Sequence, residues 1–365
     1  MKRQRSVLLA AAMACLLAAG AALAAASSSS KPKTPPRLAP DELREVNKLL
    51  GDFRAARGDL EARGEICKNV LAVGPGAVPL ISAAIERELR PQLKRYSGKF
   101  QAQAAQYVKK RVADIDLDEV AQLRKTVLGI QKRGDGFTKE AIVRDGDPAM
   151  RRLEQMCIID RKMVLEQSEA LGADRERLIG LGKLWQRCQS QLPKPPAQEG
   201  EEPAKLPNFA EYLRGEESLA AALAAPMDQQ TRGILAVNAR LAEKLDPEEA
   251  RAILACNLTR NLLGLSALAI DCNLCDAARD HSKDMETLHF FAHESPVPGK
   301  KTPWDRAKNF GTSASAENIF RGCHDGRAAN QGWFHSPGHH ANMLGNHARI
   351  GVGRSGLYYT EAFGK

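Results

Sequence analysis

Histidine is missing from the first 280 residues of this 365-residue chain; all eight imidazoles fall between His281 and His347. Proton transfer or metal ligation by histidine is thereby confined to the final quarter. Aromatic residues are scarce at 5%, and although the net charge is +9, there is no stripe of Lys and Arg interleaved with aromatics, which argues against a nucleic-acid surface. Hydrolase signatures are absent as well. There is no G-x-S-x-G elbow and no H-E-x-x-H helix, since His293-Glu294 runs directly into Ser295-Pro296. His335 and His339 are four apart, but Pro337 and Gly338 interrupt any helix that would join them. No convincing repeat of fixed period appears, so an irregular bundle is the first reading of the helical first half and an α-solenoid the second.

What is present divides the chain. Lys2, Arg3 and Arg5 precede an apolar run from Val7 to Ala26 with small-residue stretches such as Ala22-Leu23-Ala24, the pattern of a secretory signal over residues 1–26. Its rival is a retained membrane anchor. Without the leader's three cations the balance is 53 − 3 = 50 basic against 44 acidic residues, a net +6. A Pro- and Lys-rich spacer, 27–40, leads to an all-helical domain, 41–192. Within it Leu178, Leu181, Trp185, Cys188 and Leu192 fall on one helix face, and Asp147-Pro148 opens a helix carrying Leu153, Met156, Cys157, Met163 and Val164. A Pro- and Glu-rich linker, 193–207, and a helical connecting segment, 208–246, precede a second domain, 247–365. Export implies a periplasmic, envelope or extracellular location. There, seven cysteines outside the leader (Cys67, Cys157, Cys188, Cys256, Cys272, Cys275, Cys323) could pair, although so sparse a set reads as buried small apolar residues with one or two bridges.

The second domain carries its motifs in a fixed order. Asn257 to Leu268 (NLTRNLLGLSAL) and Leu274 to Met285 (LCDAARDHSKDM) predict two helices, and a proline-broken loop follows from Phe290 to Gly311 with a short helix beginning near Pro303. Next come Ala316-Glu317-Asn318-Ile319, then Trp333 and the run SPGHHANML from Ser336 to Leu344. Arg349–Arg354 and Leu357–Phe363 predict a hairpin about Ser355-Gly356. In its second strand Leu357, Tyr359, Glu361 and Phe363 share one face, which sets a carboxylate among apolar residues and calls for a partner.

Six motifs in this order resemble the bacterial form of the CAP superfamily (cysteine-rich secretory, antigen 5 and pathogenesis-related proteins). The resemblance implies an α+β fold: a three-layer α-β-α sandwich with a small, mostly antiparallel sheet, here preceded by the helical domain. It also implies a cleft lined by His293 from F-x-H-x-S-P, Glu317 from E-N-I and His339 from P-G-H. A second acid common in the family, near Ser336, is absent, and Glu361 is a candidate replacement. Such a set could hold a divalent metal such as zinc with an open position, shuttle a proton without metal, or only pin the loops together. Of the other candidates, His340 is expected to point outward or cap a helix, His281 to pair with Asp284, and Ser282 to lie on the surface. Cys272-x-x-Cys275 matches a redox motif in spacing alone, and adjacent Cys323-His324 make a poor nucleophile and base. The function expected is an exported binding module for a divalent metal or for a lipid, glycan or peptide. The alternatives are a hydrolase using the same cluster and a structural scaffold.

Overall fold

Apolar spacing and side-chain caps account for the helices of the computed structural model, which describes residues 36–111, 114–158, 161–191, 209, 210, 213, 214, 217 and 229–365. The leader expected over residues 1–26 and the linker expected over 193–207 lie outside these residues. In chain order come α1 (Pro40–Ala55), α2 (Leu60–Val73), α3 (Val78–Arg111), α4 (Leu117–Ile130), α5 (Asp147–Cys157), α6 (Arg161–Leu165), α7 (Glu169–Gln189), α8 (Gln229–Ala242) and α9 (Pro247–Leu262). Then follow β1 (Ala269–Ile270), α10 (Cys272–Thr287), α11 (Pro303–Asn309), β2 (Ala316–Arg321), α12 (Gly326–Phe334), α13 (Pro337–Met343), β3 (Arg349–Ser355) and β4 (Tyr358–Gly364).

Two compact units emerge, and they do not follow the division drawn at residues 192 and 247. Gln101–Asp160 groups with Leu219–Lys365, while the described part of Leu23–Phe100 groups with Arg161–Ser218. The reason lies in side chains that join the middle helices and α8 to the C-terminal domain. Arg124 of α4 donates through Nε to the Leu262 carbonyl at 2.8 Å, and Asp147 of α5 meets His335 Nε2 at 2.9 Å. Asn238 of α8 bonds both the Leu268 carbonyl and the Ile270 amide at 2.8 Å, the pairing a neighbouring strand would otherwise supply to β1.

In the helical unit α1 buries Val46, Leu50 and Phe53, and Asp59 caps α2 by accepting the amides of Glu61 and Ala62. The face read from sequence on α7 is the buried one through Leu178, Leu181, Trp185 and Cys188; Leu192 lies outside the described residues. In that core Cys67 and Cys188 are both buried. All seven described cysteines are thiols and five are buried, so they act as small apolar residues. Buried Arg63 stacks its guanidinium over Phe53 at 4.5 Å and pairs with Glu88 through both terminal nitrogens, at 3.1 and 2.8 Å.

The helix expected from Asp147 to Val164 is two helices. Ile158, β-branched, leaves α5 in an extended conformation (φ −104°, ψ 132°), and α6 starts afresh at Arg161.

The C-terminal domain has the expected α+β sandwich. Its four-stranded sheet has the order β1-β3-β4-β2, with β1 parallel to β3 and the other pairs antiparallel. Pairing of Glu317 with Ala362 and of Asn318 with Glu361 assigns these residues to opposite faces of the sheet. Gly351 and Gly353 explain why helix α10 can lie so close on one face. A Cβ at Gly351 would come within 2.4 Å of the Leu274 carbonyl carbon, and one at Gly353 within 1.9 Å of the Arg279 nitrogen. Ser282, expected on the surface, is buried in this seam, its Oγ 2.9 Å from the Gly353 carbonyl and from Thr360 Oγ1.

Candidate functional site

Three local devices bring the site together. Helix α10 ends in a Schellman turn: His289 takes φ 55° and the Phe290 amide bonds the Met285 carbonyl at 3.2 Å, which throws the chain into the loop carrying His293. Helix α11 opens with Pro303 behind a Thr302–Asp305 capping box and so fixes the rotation that turns Arg306 inward. Helix α13 likewise opens at Pro337, after α12 has ended at Phe334, and presents His339 beside edge strand β2.

Glu317 is the centre of the arrangement. Its Oε2 accepts from Arg306 Nη2 at 2.6 Å and its Oε1 lies 3.0 Å from His293 Nδ1, with the carboxylate 4% exposed, the guanidinium 1% and the imidazole 49%. Arg306 also donates to the carbonyls of Lys300 (3.0 Å), Lys301 (3.2 Å) and His293 (3.1 Å). One buried cation thus fixes both the carboxylate and the loop that bears the imidazole. Opposite, the His339 ring stands 6.2 Å from that of His293, centroid to centroid. Burial and then the neighbouring His293 lower the pKa of His339. The frame behind it is made of amides: Asn318 Nδ2 donates to the His339 carbonyl at 3.3 Å, and Asn342 Nδ2 to the Glu317 carbonyl at 3.1 Å and to Asn318 Oδ1 at 2.9 Å.

The expected trio therefore meets, but not as three direct metal donors. Both Glu317 oxygens are engaged, one by a cation, and among the described residues no group of three or more His, Cys, Asp or Glu is placed to hold a metal ion. The donor set does not fit a zinc site built on His293, Glu317 and His339.

Glu361 is not in the cleft. It lies fully buried on the other face of the sheet, accepting from Asn318 Nδ2 at 2.8 Å beside the Cys256 thiol and Arg260. Burial pushes its pKa up to about 7, against the lowering by Asn318, Cys256 and Arg260. The partner its strand position called for is an amide, and strand alternation separates it from Glu317.

His281 differs from expectation, while His340 takes the capping half of its expectation, at the end of α12, and not the outward one. His340 is buried, its Nδ1 2.7 Å from the Phe334 carbonyl and its ring edge-on to Phe137 at 5.7 Å, because α13 turns that side toward the helices of its own unit. His281 bonds the Ala292 carbonyl at 3.0 Å through Nε2, whereas Asp284 pairs with Lys300. Burial, set against the pull of Glu317, lowers the His281 pKa to about 4, so it braces the His293 loop as a neutral ring.

Arg306 is the residue that sequence reading missed. Its signal was available: a carboxylate on a strand between Ala316 and Ile319 calls for a partner, and W-D-R supplies a cation within the loop region that carries His293.

Residues 253–362 match the profile of the Cysteine-rich secretory protein family, CAP. They form a CAP domain. Outside the match, residues 101–160 pack in the same compact unit as this CAP domain. Over 120 residues the chain is 37% identical to uncharacterized protein YkwD of Bacillus subtilis (strain 168), covering 32% of this chain and 46% of that protein. Over 108 residues it is 32% identical to uncharacterized membrane protein YlbC of the same organism, covering 29% and 31% respectively. The chain thus spans less than half the length of these curated relatives, and the similarity lies with the CAP domain. A solved structure, an extracellular protein containing a SCP domain from Bacillus anthracis str. Ames, aligns at 27% identity with a TM-score of 0.33, covering 43% of this chain and 50% of that one.

The N-x-x-R opening of the CAP domain is structural. Asn257 bonds both the Leu268 amide and its carbonyl, and Arg260 donates to the carbonyls of Ser266, Met343 and Gly345.

Proposed function

We propose that the CAP domain is a binding module in which His293 and His339 present a polar cleft to a small, oxygen-rich ligand, a short glycan or peptide of the cell envelope. The use made of Glu317 carries this reading. With both its oxygens committed to Arg306 and His293, the carboxylate orients an imidazole rather than serving the cleft. His293 keeps Nε2 for a ligand, and His339, whose lowered pKa favours the neutral ring, can donate from one nitrogen and accept at the other. Paired donors and acceptors of this kind suit hydroxyls and amides. Trp304 on α11, the helix that supplies Arg306, is exposed and offers an aromatic face. An envelope or extracellular setting is supported by the leader pattern of residues 1–26 and by the description of YlbC as a membrane protein.

The test is calorimetric titration of the full chain and of His339→Ala and Glu317→Gln with N-acetylglucosamine oligomers, short peptides, anionic vesicles and zinc chloride. Glycan or peptide binding should weaken about tenfold in His339→Ala, equivalent to about 1.4 kcal/mol, and less in Glu317→Gln. Zinc binding lost in the same variants would restore a metal site, and cleavage products would favour the hydrolase. Equal binding of every probe by wild type and His339→Ala would remove the cleft from consideration.

A further inference from the structure

The helical unit holds a cavity of about 660 Å³ with an uneven lining: six cationic side chains and two carboxylates. Both carboxylates are already answered. Glu88 takes a two-pronged ion pair from buried Arg63, and Asp174 accepts from Lys99 at 2.6 Å with Arg177 at 3.8 Å. That leaves Arg54, Arg57, Arg87 and Arg95, and among the described residues no carboxylate pairs with any of them.

Elsewhere on the same helices, arginines are paired. Arg90 meets Glu86 at 3.0 Å on α3, and the chain as a whole carries 44 acidic residues to spend on such pairs. Toward the cavity, by contrast, Arg87, Arg95 and Lys99 recur on one side of α3 at spacings of eight and four, and the carboxylate that α3 adds to the lining, Glu88, is taken by Arg63. Like charges four apart on a helix repel. The negative end of the α1 dipole accounts for Arg54, in the last turn, but not for the others.

We infer that this cavity binds a multiply phosphorylated group, held by Arg54 and Arg57 from the end of α1 and by Arg87 and Arg95 from α3. The guanidinium fork matches phosphate oxygens two at a time, so four forks that no described carboxylate takes, around one concave space, suit several phosphates better than one carboxylate. The volume is that of a small-molecule site. Leu178, Ala84 and Pro91 contribute apolar lining, which leaves room for the carbon part of such a ligand. The phosphates could belong to a soluble molecule or to a lipid headgroup, and the chemistry at the arginines is the same for both.

The experiment uses the full chain and two double variants. Arg87→Gln with Arg95→Gln removes two cavity charges; Arg90→Gln with Lys94→Gln removes the same charge from the same helix away from the cavity. Each protein is titrated with sodium tripolyphosphate and sedimented with vesicles of phosphatidic acid in phosphatidylcholine, and helix content by circular dichroism checks the fold. Expected is tripolyphosphate binding that weakens about tenfold or more in the cavity variant, falls steeply with salt, and stays within about twofold in the control. Binding only to the phosphatidic acid vesicles, with the same dependence on the cavity arginines, would assign the phosphates to a headgroup. Absence of binding in both arms, or equal loss in the two double variants, would overturn the site.

Discussion

The two units solve the same electrostatic problem in opposite ways. In the CAP domain the charged groups at the site neutralise one another: Arg306 is spent on Glu317, Glu317 on His293, and what faces the cleft is an imidazole pair. In the helical unit the cavity lining is left with four arginines that no described carboxylate answers. A site whose charges are satisfied internally selects by hydrogen-bond pattern and shape. One whose charges are left over selects by sign. The comparison teaches that the cluster of histidines, the loudest signal in the sequence, marks the quieter electrostatic site.

The largest effect should come from breaking the internal pairing. Arg306→Met leaves Glu317, whose side chain is 4% exposed, without its cation and frees three loop carbonyls. Chemical denaturation should show a loss of about 3–5 kcal/mol. The matching change in the helical unit, Arg63→Met, strands Glu88 at 18% exposure, where water and Gln92 Nε2 can reach it, and should cost less, about 1–3 kcal/mol. Equal losses would mean that burial of the carboxylate does not set the difference between the two pairs.

The next effect depends on pH. Glu361 has a folded pKa of about 7 against 4.5 in the unfolded chain, so the native state binds more protons between those values and stability falls as pH rises through that window. His281 acts with the other sign. Its folded pKa of about 4 lies below the ordinary 6.5, so its contribution is complete above 6.5 and is lost as pH falls toward 4. The two offset each other over most of the interval. Glu361→Gln keeps the bond with Asn318 and removes only the first term, so melting temperature should climb more steeply from pH 4 to 6.5 than in wild type. At pH 8 the variant should be more stable, by up to about 3 kcal/mol, the equivalent of the pKa displacement. A variant that is less stable than wild type at pH 8 would show that Glu361 is held ionised by its neighbours.

Much of this was legible beforehand, and what was not has a physical reason. The sandwich and the meeting of His293, Glu317 and His339 are what the resemblance of the motifs to the CAP family implies, and the hairpin was readable from Ser355-Gly356 between two strand-like runs. Glu361 was assigned to its strand face correctly and to the cleft wrongly, because the pairing register that puts Asn318 opposite it, and Glu317 one residue on, is set by contacts far apart in the chain. Ser282 was read as a surface residue and His340 as outward or capping, because local periodicity cannot tell that Gly351 and Gly353 admit α10 so closely, or that Phe137 packs on His340 of α13. The joining of those helices to the C-terminal unit rests on single side chains such as Arg124 and Asp147, which no composition shift marks.

The smallest effect sharpens the comparison from the other side. Cavity arginines that serve a ligand and not the fold should be nearly silent in stability, so Arg87→Gln with Arg95→Gln should move the unfolding free energy by no more than about 0.5 kcal/mol. The sign is informative. Removing two like charges from one helix stripe relieves repulsion, so the shift at low salt should be toward greater stability and should vanish as added salt screens the remaining charges. Denaturant midpoints at two ionic strengths measure it. A loss above about 1 kcal/mol would place these arginines in the packing of α3 and would make the two units alike in spending their charges on structure.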